Sequence, residues 1–345
     1  MADAAGTAAP GASAARDAVT RPPRYVEAVA RALHDELAAD DDVVVIGVDV
    51  GAAGGAYGAT RGLYERFGPE RVLDTPIAEA GVLGAAVGAA MAGLRPVVEI
   101  MYMDFLTVCL DPIVNQAAKL PYMTAGGVAM PIVFRTQTGG GRSSGAQHSQ
   151  SLEAMLAHVP GLKVFLPGDA RDAYDLLRAA VRDDGPVVVV ENRRLYNRRA
   201  DDFDRRAPLP PGRARVVRAG SAATVVAWGR MVDEVGRALD GDERLASAGV
   251  ELIDLRTLVP LDLDTVAASV LKTGRALIVH EAVADFGPGA ELAARIDERL
   301  RFDVEGPIRR LGARRAPVPY SPALEAEVLP GAPRIAEAIR ALLES

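Results

Sequence analysis

The chain has 345 residues, enough for about two domains, and its 49% hydrophobic and 25% charged residues are ordinary globular proportions. A net charge of −7 excludes a generic nucleic-acid binder, because sequence-independent affinity for phosphate backbones needs a basic surface. Cys109 is the only cysteine, which excludes an intrachain disulfide and a cysteine-based zinc site.

Residues 1–24 are mostly Ala, Gly, Thr and Pro without a hydrophobic stretch, and read as a disordered tail, not a secretory signal. Val26, Val29, Leu33 and Leu37 lie on one face of an amphipathic helix, which Asp40 to Asp42 end. The β-branched run Val43–Ile46 predicts a strand buried on both faces. Similar runs follow at Pro96–Ile100, Pro131–Arg135, Leu162–Phe165 and Pro186–Val190, with helical stretches Glu79–Leu94, Asp104–Leu120 and Ala170–Arg182 between them. This alternation predicts an α/β domain over 25–200 with a parallel sheet covered on both faces.

The stretch Asn197–Gly212 mixes arginines, aspartates and prolines, and 201–212 is read as a linker whose arginines form a solvated loop. A second α/β unit follows over 213–345. Its strands are expected at Ala223–Trp228, Val250–Leu255 and Ala276–His280. Its helices are expected at Met231–Leu239, Leu263–Leu271, Ala290–Leu300 and Arg334–Leu343. The fold class is thus two open sheets covered by helices. No membrane span is expected, since the longest small or apolar run, Ala80 to Leu94, falls short of the ~20 residues needed. Lys119, Lys163 and Lys272 are the only lysines among many arginines and alanines, a bias that points to a GC-rich bacterial genome; a cytoplasmic location is expected.

Two glycine clusters are candidates for chemistry. Gly47, Gly51, Gly54, Gly55 and Gly58 follow a strand, but Asp49 breaks the dinucleotide fingerprint, and no phosphate-binding P-loop sequence exists. The loop Thr138–Gln150 is rich in glycine and ends near His148, whose charge changes near neutral pH; its glycines would let the histidine swing or be shielded. His158 is read as helix-end packing, His34 as a polar-face residue and His280 as a strand end. Glu79 stands among small apolar residues at the start of a helix. That position is either a macrodipole-stabilised first-turn carboxylate or a desolvated acid–base group. Gly81, Gly84, Gly88 and Gly93 weaken that helix, so they point to close approach by another backbone, at a subunit interface or an internal crossing.

Many short stretches occur in matching order: Asp74–Glu79, Ala90–Pro96, Asn115–Lys119, Gln147–Gln150, Pro160–Val164, Val226–Gly229, Ile253–Thr257 and Lys272–Gly274. Together they resemble the β subunit of the thiamine-diphosphate-dependent 2-oxo acid dehydrogenases, whose pyruvate, branched-chain and acetoin members are transketolase-like. The resemblance covers nearly everything from residue 24 onward. It implies a pyrimidine-binding domain followed by a transketolase C-terminal-like domain, with the cofactor lying between an α and a β subunit. Glu79 matches the family's catalytic glutamate, which protonates the pyrimidine ring so that its imino form can make the thiazolium nucleophile. His148 matches the active-site histidine, assisting proton transfers or passage of the acyl group. Ile77, Met101 and Phe105 match positions packed around the pyrimidine. Ile132, Ala180, Asp183 and Gly185 match positions whose carbonyls can hold a potassium ion.

One departure stands out. The family usually has an acid where this chain has Val48, in Gly47-Val48-Asp49-Val50, so communication between paired sites is expected to differ. The Gly-Asp-Gly motif that holds diphosphate through Mg2+ is absent. The resemblance therefore implies a separate α subunit, in an assembly of two α and two β chains. It also implies a 2-oxo acid substrate and an acyl acceptor, either a lipoyl acyltransferase or an acyl carrier protein. Arg309, Arg310, Arg314 and Arg315 would meet an acidic partner or form a solvated face. The alternatives are a split transketolase-like two-carbon transferase and a scaffold that has lost its chemistry, the latter disfavoured by Glu79 and His148.

Overall fold

The computed structural model describes residues 21–200, 202–304 and 306–345. The expected tail lies outside them, apart from residues 21–24. The first sheet is built from β1 (Val43–Gly47), β2 (Val72–Asp74), β3 (Arg95–Ile100), β4 (Val133–Thr138), β5 (Lys163–Phe165) and β6 (Val187–Asn192). The second contains β7 (Arg215–Arg218), β8 (Ala223–Ala227), β9 (Val250–Asp254), β11 (Ala276–Val283) and β12 (Ile308–Ala313). The short strand β10 (Thr257–Val259) belongs by sequence to the second half, yet it pairs antiparallel with β5. The seven-stranded order is β10-β5-β6-β4-β3-β1-β2, and the five-stranded order is β12-β11-β8-β9-β7. Every pairing is parallel except β10 with β5 and β7 with β9. Burial on both sides explains the near-continuous Val runs of β1 and β6.

Helices Tyr25–Ala39 and Ala170–Val181 pack together over the outer face of the first sheet, burying Leu33, Leu37, Leu176 and Leu177. Helices Arg230–Asp240 and Ala332–Leu343 do the same for the second sheet. The largest core is shared. Leu83, Val98 and Phe134 of the first half join one cluster with Trp228, Ile253 and Ile278 of the second. Ion pairs reinforce the junction, where Arg215 Nη2 donates to Asp169 (2.9 Å), Asp172 (2.8 Å) and Asp254 (3.2 Å).

Several sequence expectations need correction. Asp104–Leu120 is not one α-helix: a 3-10 turn (Met103–Cys109) gives way to a π turn (Pro112–Ala117), and a short α-helix starts at Leu120. Pro112 and Pro121 lack the N–H that a regular helix would use there. Nor is the linker a free solvated loop. Arg206 makes a two-pronged bond to Asp169 (2.7 and 2.6 Å). Arg256, fully buried, donates to the carbonyls of Leu209, Pro210 and Arg213. His280 is not a strand end. It is buried inside β11, stacked on Trp228 at 5.4 Å, and burial lowers its pKa to about 4. His158 is exposed, not packed.

Glu153 is buried beside the Trp228 indole, whose N–H donates to Oε1 at 3.3 Å, while Oε2 has no partner. Burial pushes its pKa from 4.5 up to about 7. Ionising it in the folded state is therefore costly, so stability relative to a neutral side chain is full below the unfolded value and is lost as pH rises through the folded one. Glu153→Gln is expected to stabilise the protein at about pH 8, by at most about 3 kcal/mol, and to be neutral near pH 4. Thermal unfolding at the two pH values checks this; equal effects at both would contradict it.

Candidate active site

The carboxyl ends of β1, β2 and β3 open onto one hollow, where α/β sheets usually place ligands. It encloses a volume of about 80 Å3 and is lined by Gly47, Val48, Thr75 to Glu79, Val82, Glu99, Ile100, Met101 and Phe105. Sequence-distant Glu79, Ile77, Met101 and Phe105 thus meet. Glu79 opens the Glu79–Met91 helix, where the partial positive charge of unpaired N–H groups favours a carboxylate. The walls around it are mostly apolar, and Ile77 is 79% exposed at the rim. Val48 lines the hollow and Asp49 does not. Asp49 is exposed, with φ of 58°, so it does not restore the missing acid at this wall.

His148 lies just beyond Phe105. Its ring meets the edges of Phe105 (5.4 Å) and Tyr102 (4.6 Å) nearly at right angles. Phe105 therefore stands between the hollow and the imidazole, and touches both. The Tyr57 hydroxyl donates to the Tyr102 hydroxyl at 2.5 Å, and Arg193 sits over the Tyr102 ring at 4.5 Å while donating to the His148 carbonyl at 2.6 Å. Burial and the bond to Tyr102 raise the Tyr57 pKa to about 12. Asp104, beside Phe105, accepts from the backbone N–H (3.3 Å) and the side-chain amide (2.8 Å) of Gln150. Tyr57, Tyr102, Asp104 and Arg193 were missed by the sequence reading. Only Asp104, an acid inside the apolar run Met101–Leu106, carries a local signal.

The loop before His148 is not a free hinge. Gly140 and Gly145 are glycines because other side chains come close: a Cβ at Gly140 would lie 2.7 Å from Leu329, and one at Gly145 2.2 Å from the Tyr320 ring. Gly145 also has φ of 76°, which suits glycine.

The four expected potassium positions lie elsewhere, where Ile132 precedes β4 and Ala180, Asp183 and Gly185 precede β6, at the opposite end of the sheet from the hollow. The Ile132 carbonyl accepts from Val187, the Ala180 carbonyl from Asp183, and the Asp183 carbonyl from Arg95. The Ala180 carbonyl accepts from the Arg182 N–H as well, and Lys163 pairs with the Asp183 carboxylate. Among the described residues no group of three or more His, Cys, Asp or Glu side chains is placed to hold a metal ion. No helix of the described residues is long and apolar enough to cross a membrane.

Apart from chain neighbours and the nearby backbone of their own helix, no described atom lies within 4 Å of a Cβ built on Gly81, Gly84 or Gly88. All three are exposed, so an internal crossing does not explain them. On the buried side, Cys109 is pushed up to about 12, first by burial and then by the Glu79 charge. A thiol with that pKa is only about 1 part in 10⁴ thiolate at pH 8. A disulfide reagent is expected to label native Cys109 at least about 100-fold more slowly than the unfolded chain; equal rates would contradict this burial.

Comparison with known proteins agrees with this geometry. Residues 21–199 match the family described as transketolase, pyrimidine binding domain, and residues 212–335 match transketolase, C-terminal domain. The chain is 43% identical over 329 residues to the pyruvate dehydrogenase E1 component subunit beta-2, mitochondrial, of Oryza sativa subsp. japonica, covering 94% of this chain and 87% of that one. It is 42% identical over 316 residues to the pyruvate dehydrogenase E1 component subunit beta of Rickettsia bellii, covering 91% and 96%. A solved structure titled split gene transketolase, inactive beta4 tetramer, shares the fold with a TM-score of 0.75 at 21% identity, over 94% of this chain and 99% of that one. With both domain families matched in order and relatives this similar along nearly its whole length, the chain belongs to the transketolase-like β subunits of the thiamine-diphosphate-dependent 2-oxo acid dehydrogenases.

Proposed function

We propose that this chain supplies the pyrimidine half of a thiamine diphosphate site in the decarboxylating component of a 2-oxo acid dehydrogenase, completed by an α subunit in an assembly of two α and two β chains. The observation that carries this reading is the hollow itself, lined by two carboxylates of which Glu99 is tied to Arg135 and Glu79 opens its helix, with mostly apolar walls and an apolar lip at Ile77 that this chain alone leaves in solvent. Such a lip costs free energy until a partner covers it.

When bound, thiamine diphosphate supplies the carbon nucleophile that cleaves a 2-oxo acid next to its carbonyl. Ile77, Met101 and Phe105 fit the flat faces of a pyrimidine and keep water from it. Glu79 would hold and return a proton at its carboxylate toward a pyrimidine bound in the hollow. His148, braced by Tyr102 and Phe105, moves a proton at its imidazole toward the substrate side. The α subunit grips the diphosphate through Mg2+, since this chain has no Gly-Asp-Gly sequence. The carbonyls of Ile132, Ala180, Asp183 and Gly185 are assigned to potassium, away from the chemistry. The acyl group passes to a lipoyl acyltransferase or to an acyl carrier protein.

The test is reconstitution with the α subunit, supplied in turn with 2-oxo acids and with ketose phosphates. Decarboxylation of a 2-oxo acid that requires thiamine diphosphate supports the reading. Two-carbon transfer from a ketose phosphate alone would replace it with the split transketolase.

A further inference from the structure

The loop carrying His148 is held from two sides with opposite chemistry. Its carbonyls face guanidinium groups of the first domain: Arg193 donates to Gly139 (3.4 Å) and to His148 (2.6 Å), and Arg194 to Gly141. Its N–H groups face carboxylates of the second domain. Glu281 of β11 accepts from Gly140 at 2.7 Å. Glu325, in the first turn of the Pro322–Val328 helix, accepts from Gly141 at 2.7 Å and from Ser143 at 3.0 Å. Hydrogen bonds to a charged acceptor are roughly twice as strong as neutral ones, and both carboxylates are buried. The second domain also reaches over Gly145 with the Tyr320 ring and over Gly140 with Leu329.

We propose that Glu325 is a positioning residue for His148, fixing from the second domain the loop whose far end carries the imidazole. This rests on the reading of His148 as a proton-transfer group. Glu281 shares the grip, but it is also bonded to Asn192 and paired with Arg230, so its loss would disturb the interior more widely. Among the described residues the Glu325 carboxylate bonds the two loop N–H groups and no other donor. Gln at this position keeps the shape but has one acceptor oxygen, so it satisfies one N–H and sets an amide donor against the other.

In the reconstituted complex, Glu325→Gln is expected to lower kcat about tenfold or more while KM for the 2-oxo acid shifts less than about twofold. Because it acts through His148, the double variant Glu325→Gln/His148→Ala should be no slower than His148→Ala alone. Hydrogen exchange should quicken at the amides of 140–148 and not in the sheets. Tyr320→Ala gives a second handle, because this ring is 68% exposed and its removal leaves the core closed; it should quicken exchange at 145–148. Multiplying losses in the double variant, or unchanged loop exchange in both single variants, overturns the proposal. A wild-type rate in His148→Ala overturns the functional reading and the positioning role with it, whereas a slow His148→Ala beside an additive Glu325→Gln overturns the positioning role alone.

Discussion

Glu79→Gln in the reconstituted enzyme is expected to lower turnover by about 10²–10⁴-fold while leaving the fold and the assembly with the α subunit intact. Glutamine matches the shape of glutamate but cannot take up and return a proton. The setting makes that one property decisive. Glu79 is the first residue of its helix, and Val48, Ile77, Met101 and Phe105 give the hollow few other polar groups. The remaining lining carboxylate, Glu99, is ion-paired with Arg135 and buried, so it is engaged elsewhere and cannot take over. Cofactor affinity should change only slightly, because the diphosphate is assigned to the partner. Unchanged turnover would sink the catalytic reading; lost cofactor binding at unchanged rate per bound site would move Glu79 from chemistry to recognition.

The largest effect on stability is expected from Arg135→Met, which should destabilise the protein by about 3–5 kcal/mol. Arg135 of β4 is fully buried and pairs with Glu99 of β3 on one side and Glu191 of β6 on the other. Tyr196 adds a hydrogen bond to Glu191 at 2.6 Å. Removing the guanidinium strands two buried carboxylates between strands. Arg135→Lys should recover only part of the loss, since one compact ammonium cannot span both acids as the planar fork does. Urea unfolding of the three proteins measures this, and a loss below 1 kcal/mol for Arg135→Met would show that the carboxylates find other partners. Because Glu99 also lines the hollow, the same variant should weaken activity before it unfolds the chain.

The strand–helix alternation is legible in the sequence because the central strands are buried on both faces and so read as Val-rich runs. The edge strands are not legible. Arg215–Arg218 and Ile308–Ala313 carry arginines on half-exposed surfaces and resemble loops. Thr257–Val259 is too short to show a period, and only its partner β5 makes it a strand. The 103–123 region has helical spacing, but its prolines alter the turn geometry without altering that spacing. At the site, Glu79 shows as a charge among small apolar residues, and His148 as a histidine closing a glycine loop. Tyr57, Tyr102 and Arg193 do not show, because a ring edge or a guanidinium over a ring leaves no trace at fixed spacing. The grip of Glu325 on Gly141 and Ser143 spans more than half the chain and depends on backbone N–H groups, which every residue type but proline carries. The loop glycines read as flexibility because most of the side chains that crowd them, among them Leu329, Arg230 and Tyr320, come from the other domain.

The placement of β10 has a consequence for how the protein is made. During synthesis the first sheet remains open along β5 until Val259 has left the ribosome, long after its other strands are available. An unpaired strand edge of this kind recruits other chains. A fragment ending near residue 200 is therefore a poor unit for expression, and the nascent chain needs its second half in order to shield its first.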